Sequence, residues 1–424
     1  MLEMRKMKDS GIEWIGEIPE GWRTINPKAL FTQRKDKAQN GERQLTSSQQ
    51  YGILYQDDYM ELTGSKVVTV EKDFDILKHV EAGDFVISMR SFQGGLEYST
   101  KSGAISSAYV MLVPNLELVY PRFYRWLLKS SVYIDALQRT TNMVRDGQAM
   151  RYSNFAQVRL FTLPLDEQKS RADFLDLECS SIDKILFKTR SSIEEYKKLK
   201  QAVITQAVTK GVRGEREMKD SGVEWIGEIP KEWDILDLVA HTSMLTPMRD
   251  RPENLDGPIP WIRIEDFDGK YISSSKASLG VSKETVRSMN LKIYPVGTIL
   301  CTSSCIMGKC AIVSRELVSN QRFIGIIPDQ NTCENFLYYL MLSNSERMNY
   351  LATGALQANL SRSSFEHLKV QFPSYQEQKE ISDYLDTKCA EIDKLIAKKE
   401  QLVKELESYK KSLIYEVVTG KREV

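Results

Sequence analysis

The sequence predicts an α+β protein. Two mixed α/β blocks are each followed by a long α-helix, and the two helices pair as an antiparallel coiled coil in a pseudo-two-fold tandem repeat. Three observations predict this. The stretch "MKDSGIEWIGEIPEGW" at Met7–Trp22 returns as "MKDSGVEWIGEIPKEW" at Met218–Trp233, with 13 of 16 positions identical and an offset of 218 − 7 = 211. "LPLDEQKSRADFLDLECSSIDKI" from Leu163 matches "FPSYQEQKEISDYLDTKCAEIDKL" from Phe372, and aligning Gln168 with Gln378 gives 378 − 168 = 210. After each of these second phrases, apolar residues recur by sevens, threes and fours, the spacing of a helical seam.

The order sets four segments: a first block over 1–163, a helix over 164–214, a second block over 215–372 and a helix over 373–424. The blocks between the phrases differ, although "AGDFVISMRSFQGG" (Ala82–Gly95) faintly matches "VGTILCTSSCIMGK" (Val296–Lys309). Both read as a strand running into a polar, Gly-rich loop. "KVVTV", "AYVMLV" and "RFIGIIP" are further strand candidates, being β-branched or aromatic runs. "PRFYRWLLKSSVYIDAL" from Pro121 and "ENFLYYLMLSNSERMNYL" from Glu334 each read as one helical stretch following a strand.

Pro164 and Pro373 precede the long helices, where proline can open a helix. In the first helix the expected seam is Leu175, Ile182, Ile185, Tyr196, Leu199 and Val203, with Thr189 and Ser192 as polar interruptions. In the second it is Leu385, Ile392, Leu395, Leu402, Leu406, Tyr409 and Leu413. Each helix should run about 45 residues, or about 68 Å. A stripe that long must be buried, and the other copy is the natural partner. Antiparallel pairing follows by analogy with two-fold dimers.

Bulk properties narrow the function. Lys plus Arg and Asp plus Glu both total 58, so the formal net charge is zero and bulk charge would not coat a nucleic acid. Local basic faces remain open. No apolar run is long enough to span a bilayer, and "MLEMRKMKDS" lacks the apolar core of a signal peptide, so a cytoplasmic protein with no membrane partner is expected. Cys301, Cys305 and Cys310 form a C-x3-C-x4-C cluster, but the spacing is not that of a standard zinc site and no histidine lies near it. Reduced cysteines in strands are expected.

Catalytic motifs fail in turn. "SSCIMGKC" at Ser303–Cys310 ends like a P-loop but has serine for the first glycine and cysteine for Ser/Thr. No strand leads into G-x-G-x-x-G. "EDFDGK" (Glu265–Lys270) contains an Asp-x-Lys that a nuclease could use, with Glu253 as a loose upstream acid. Three histidines give acid–base chemistry few donors. No catalytic residue and no metal ligand is assigned, and the chain reads as a binding protein.

Base edges are read by Arg, Asn, Gln, Ser, Thr and Lys held on a scaffold. In the first block such residues gather at Ser88, Arg90, Ser91 and Gln93, and again at Asn142, Arg145, Gln148 and Arg151. In the second they are Ser303, Lys309, Asn320, Gln321, Arg322, Gln357, Asn359 and Arg362. Arg90 and Arg322 suit guanine; Gln93, Gln321, Gln357 and Asn359 suit adenine.

The doubled openings, "LPLDEQ" and "FPSYQEQ" leading into long helices, and the helix ends "VITQAVTKG" and "LIYEVVTGK" resemble the specificity subunit of type I restriction–modification systems over nearly the whole chain. The resemblance implies that each block is a target recognition domain reading one half of a bipartite double-stranded DNA site. It implies that the helices set the spacer and dock two methyltransferase subunits. S-adenosylmethionine, ATP and Mg would belong to those partners and to restriction subunits, with no cofactor in this chain. The first helix ends "TKG" where the second ends "TGK", a small departure. Two other readings predict different behaviour. A coiled-coil scaffold whose blocks bind proteins would show no DNA preference, and a nuclease using Asp266, Asp268 and Lys270 would cleave DNA alone.

Overall fold

The computed structural model describes residues 5–70, 74–88, 96–140, 152–247, 250–304, 308–352 and 360–424. The chain divides into two compact units: Met1–Arg190 with Gln401–Val424, and Ser191–Glu400. Each unit takes in one block and a part of both long helices.

In the first unit a four-stranded antiparallel sheet runs in the order Phe31–Arg34, Tyr109–Pro114, Phe85–Ser88, Leu96–Tyr98. In the second, Thr242–Leu245, Phe323–Pro328, Ile299–Thr302 and Cys310–Val313 repeat that order, and Tyr271–Ile272 adds a parallel fifth strand. The blocks therefore share a fold despite their different sequences. The faint match between Ala82–Gly95 and Val296–Lys309 falls on equivalent strands, each entered through a glycine at positive φ, Gly83 (106°) and Gly297 (86°). Each block's helical stretch breaks in two. Pro121–Leu128 and Ser131–Gln138 part at Ser130, whose hydroxyl donates to the Leu127 carbonyl (2.7 Å) and accepts from the Tyr133 amide. Glu334–Ser343 and Ser345–Leu351 part at Asn344, whose amide donates to the Leu340 carbonyl (2.8 Å). These side chains satisfy helix-terminal groups and let the chain turn.

The long helices run Leu165–Lys210 and Tyr375–Val418, 46 and 44 residues. Within the first unit Lys410 bonds Asp183 (2.6 Å), Arg190 pairs with Glu407, and Arg171 reaches the carbonyls of Val417 and Arg422. Within the second, Lys200 bonds Asp393 (2.7 Å) and Lys399 lies over the Tyr196 ring. In each unit one number rises as the other falls, so the segments pair antiparallel.

The seam keeps Leu175, Ile182, Tyr196, Leu385, Ile392, Leu406 and Leu413 of the expected line and shifts its alternate positions by one residue. Its buried or half-buried line steps by fours and threes: Leu175, Cys179, Ile182, Leu186, Thr189, Ile193, Tyr196, Lys200 on the first helix. On the second it is Leu385, Cys389, Ile392, Ile396, Lys399, Val403, Leu406, Lys410, Leu413, Val417. Ile185, Leu199, Leu395, Leu402 and Tyr409 are exposed instead. Heptad geometry outranks residue size here: Lys200 and Lys410 hold seam positions with their ammonium groups paired to Asp393 and Asp183, and Lys399 does so over the Tyr196 ring.

The repeated phrases dock each block onto the start of a long helix. Trp22, fully buried, stacks on Phe161 (5.0 Å) and donates from Nε1 to Glu167 Oε2 (3.1 Å). Trp233 donates in the same way to Glu377 Oε2 (3.1 Å). Gln168 and Gln378 follow suit. Each accepts an amide from its own block, Tyr120 (2.7 Å) or Cys333 (2.8 Å), and donates to the carbonyl just before its helix, Leu163 or Pro373.

The two copies diverge at the opposing helix end. In the first unit buried Arg171 caps the second helix's last carbonyls, whereas in the second unit Gln371 donates to the Val208 carbonyl (2.7 Å). Offset 210 places Ile381 opposite Arg171 and Phe161 opposite Gln371, so the polar cap and the apolar filler exchange places. "TKG" and "TGK" also gain a meaning. Gly211 (φ 75°) and Gly420 (φ 76°) both terminate helices in the left-handed region, one residue out of step. A Cβ on Gly420 would lie 2.5 Å from Pro19 Cγ and 2.9 Å from Trp22 Cη2, both rigid groups. Gly420→Ala is therefore expected to destabilise the first unit by more than the roughly 1 kcal/mol of an ordinary left-handed glycine. Gly211→Ala meets mainly the mobile tip of Arg216 and should cost less. Denaturant midpoints of the two variants give the comparison.

Burial alone would raise the Glu167 carboxyl, but hydrogen bonds from Arg5, Arg171 and Trp22 outweigh it and hold the carboxyl below the usual carboxylate range. A depressed folded value stabilises above the unfolded pKa, about 4.3, and that contribution is lost as pH falls through the folded value. The melting difference between wild type and Glu167→Gln should thus be full at pH 7 and shrink below about pH 4. A difference that stays constant down to pH 3 would contradict this.

Candidate nucleic-acid interface

Described residues from three of the second unit's polar loops, Ser303, Arg322 and Leu360, meet because the sheet register brings them together. Thr302 pairs with Phe323 across neighbouring strands. The residues beyond that pair stay joined: Ser303 N donates to the Arg322 carbonyl (2.8 Å), and Leu360 N donates to the Ser303 carbonyl (2.9 Å). Asn320 Oδ1 accepts from the Arg322 amide (3.0 Å) and closes the turn that presents Gln321 and Arg322, both exposed.

A polar concavity of about 540 Å3 lies here, lined by Ser303, Ser304, Gln321, Arg322 and Arg362 together with Thr246, Pro247 and Leu360. Gln321 and Arg322 also wall a smaller concavity beside it. The wall offers donors and acceptors of the kind that read base edges.

Of the expected residues, Ser303, Gln321, Arg322 and Arg362 are brought together. Asn320 serves the turn, and its other face lines the smaller concavity. Arg362 is less free than expected, because its Nε bonds Glu366 (2.6 Å) within one helical turn. Lys309 is exposed and lines neither concavity. Thr246 and Pro247 were missed, and nothing in "MLTPM" marks them except their position just past a strand end.

The remaining expected residues give no geometry. Arg90, Ser91, Gln93, Asn142, Arg145, Gln148, Arg151, Gln357 and Asn359 lie outside the described residues, and Ser88 is described only as a strand end. The described cysteines, Cys179, Cys301, Cys310, Cys333 and Cys389, are free thiols and buried.

The nuclease reading loses its residues to structure. Buried Asp266 accepts from the amides of Arg263 (2.7 Å) and Lys276 (2.8 Å), so it ties a loop. Lys270 pairs with Asp386 on the second long helix, and Asp268 is exposed beside Lys276. Among the described residues, no group of three or more His, Cys, Asp or Glu could hold a metal ion.

Comparison with known proteins gives the same direction. The type I restriction modification DNA specificity domain family matches residues 231–405. The type I restriction enzyme MjaIX specificity subunit of Methanocaldococcus jannaschii is 34% identical over 179 residues, 41% of this chain and 41% of that relative. A provisionally named type I restriction enzyme MjaX specificity subunit from the same organism is 23% identical over 99% of this chain and 98% of its own. In fold, the chain resembles a solved chain described in terms of complex assembly and conformational transition of the type I R-M system. The TM-score is 0.72 at 12% identity, covering 96% of this chain and 99% of that one. Doubled opening phrases, two blocks on one sheet plan and antiparallel long helices are thus joined by matches in sequence and in fold: residues 231–405 carry the type I restriction modification DNA specificity domain, and the chain as a whole is similar to specificity subunits of type I restriction–modification systems.

Proposed function

We propose that this chain recognises a bipartite DNA target, one half-site per block, and that the long helices set the unread spacer between the halves. The observation that carries this is the pairing of one shared sheet plan with two unlike sets of loops. A duplicated frame holding different reading surfaces suits two different words on one duplex. Two methyltransferase subunits dock on the helices, and Leu177 and Phe187, exposed on the outer face of the first helix, offer apolar contact for one of them. Methyl donor, nucleotide and magnesium chemistry reside in the methyltransferase and restriction subunits. The assembly works in the cytoplasm; among the described residues no helix is long and apolar enough to cross a membrane.

Helix length is the testable quantity. Inserting one heptad into each long helix at matched seam positions preserves the packing phase and adds about 10.5 Å. The preferred spacer should then lengthen by about three base pairs, at about 34 Å per helical turn of DNA. Binding assays on spacer-length variants, with the chain assembled with its methyltransferase subunits, read this out. An unchanged preferred spacer would overturn the spacer role.

A further inference from the structure

The smaller concavity in the second unit, about 350 Å3, is lined by Arg251, Arg263 and Arg322, with Asn320, Gln321, Trp261 and leucine side chains completing it. Parallel strands assemble it. Ile259–Ile262 pairs with Val318–Ser319 in the register Ile262↔Ser319, and Asn320 N donates to the Ile262 carbonyl (3.3 Å), so Arg263 and Asn320 leave the sheet side by side. Asp266 pins the Arg263 amide at 2.7 Å and fixes where that side chain departs.

Arg213, Arg216 and Arg362 are each matched to a glutamate, and Lys270 to an aspartate. Arg251, Arg263 and Arg322 form no ion pair among the described residues, and the buried Nε of Arg263 has no acceptor. Arg287, Arg315 and Arg347 of this unit also lack an ion pair among the described residues, but here three such arginines line one concavity. Three like charges thus face one concavity, and an anion entering it would meet all three. Guanidinium groups match phosphate oxygens in a planar, two-bond geometry. The apolar floor under them lowers the local dielectric and strengthens that attraction.

We propose that Arg251 and Arg263 seat a backbone phosphate of DNA, next to the bases faced by Gln321 and Arg322. The site rests on the DNA-reading function proposed above and adds a sequence-independent grip to it. Such a contact positions the duplex and carries no base preference.

The test uses the full chain assembled with its methyltransferase subunits and measures affinity against salt on cognate and scrambled duplexes. Arg251 is exposed, so Arg251→Gln leaves the core intact. It should weaken both duplexes alike, by about tenfold, and reduce the salt slope by about 0.9. Arg263→Gln should do the same, and the charge-retaining R251K and R263K should restore the slope. Unchanged affinity and slope in R251Q and R263Q would overturn the phosphate seat. So would a loss confined to the cognate duplex, which would make these residues base readers. If wild type itself fails to prefer the cognate duplex, the DNA-reading function fails first, a result distinct from either.

Discussion

Trp233→Ala is expected to destabilise the second unit by about 3–5 kcal/mol, the cost of removing a large buried aromatic side chain. Trp233 is 1% exposed and packs in the core that receives the start of the second long helix, through Ile381 and Leu385, and the end of the first, through Ile204 and Val208. Its loss also removes the Nε1 donor from Glu377, whose remaining partners are Arg216 and Arg213. Hydrogen exchange should show protection falling in Ser191–Glu400, with Met1–Arg190 less affected. Trp22→Ala should give the mirrored result. A change below about 1 kcal/mol would mean that the repeated phrase is not what fixes block to helix.

Arg322→Ala is expected to relax selectivity at one half-site only, by about 1–3 kcal/mol of discrimination at the affected base pair. Arg322 stands exposed between two concavities, and its backbone is tied to Ser303 and Asn320, so truncation removes the guanidinium without disturbing the turn. Competition binding against single-base variants of each half-site separates this from a general loss of grip. Equal discrimination at both halves in the variant and wild type would remove Arg322 from the reading surface.

How much of this was legible depends on range along the chain. The frame was plain because it is duplicated: Trp22 and Trp233, Gln168 and Gln378 and the helix starts recur at nearly constant offset and play the same roles in both units. The direction of the helices followed from symmetry alone. Only every second seam position was legible, such as Ile182 and Ile392, because large exposed residues such as Leu199 and Tyr409 sit one step from the true line, which Lys200 and Lys410 occupy. Nothing local predicts that a lysine will lie in a seam; the partner's Asp393 or Asp183 decides it.

The site was half legible for a similar reason. Ser303, Gln321 and Arg322 were recognisable as polar loops at strand ends, and antiparallel register places them together. Arg251 and Arg263 were invisible as site residues. A parallel pairing between Trp261 and Val318, 318 − 261 = 57 positions apart, delivers Arg263 to that wall, and such long-range pairing leaves no mark on the flanking sequence. Asp266 shows the opposite failure: an acid read beside the Asp268-x-Lys270 signature proves to be the brace of its own loop.

The most direct test of the central claim is selection from a random duplex library by the chain assembled with its methyltransferase subunits, followed by sequencing of the bound fraction. Two constant words separated by a fixed run of unselected bases are predicted, with only one word changed when the second block's Gln321 and Arg322 are replaced. A single uninterrupted word, or no enrichment, would contradict the claim that two unlike blocks each read their own half of the site.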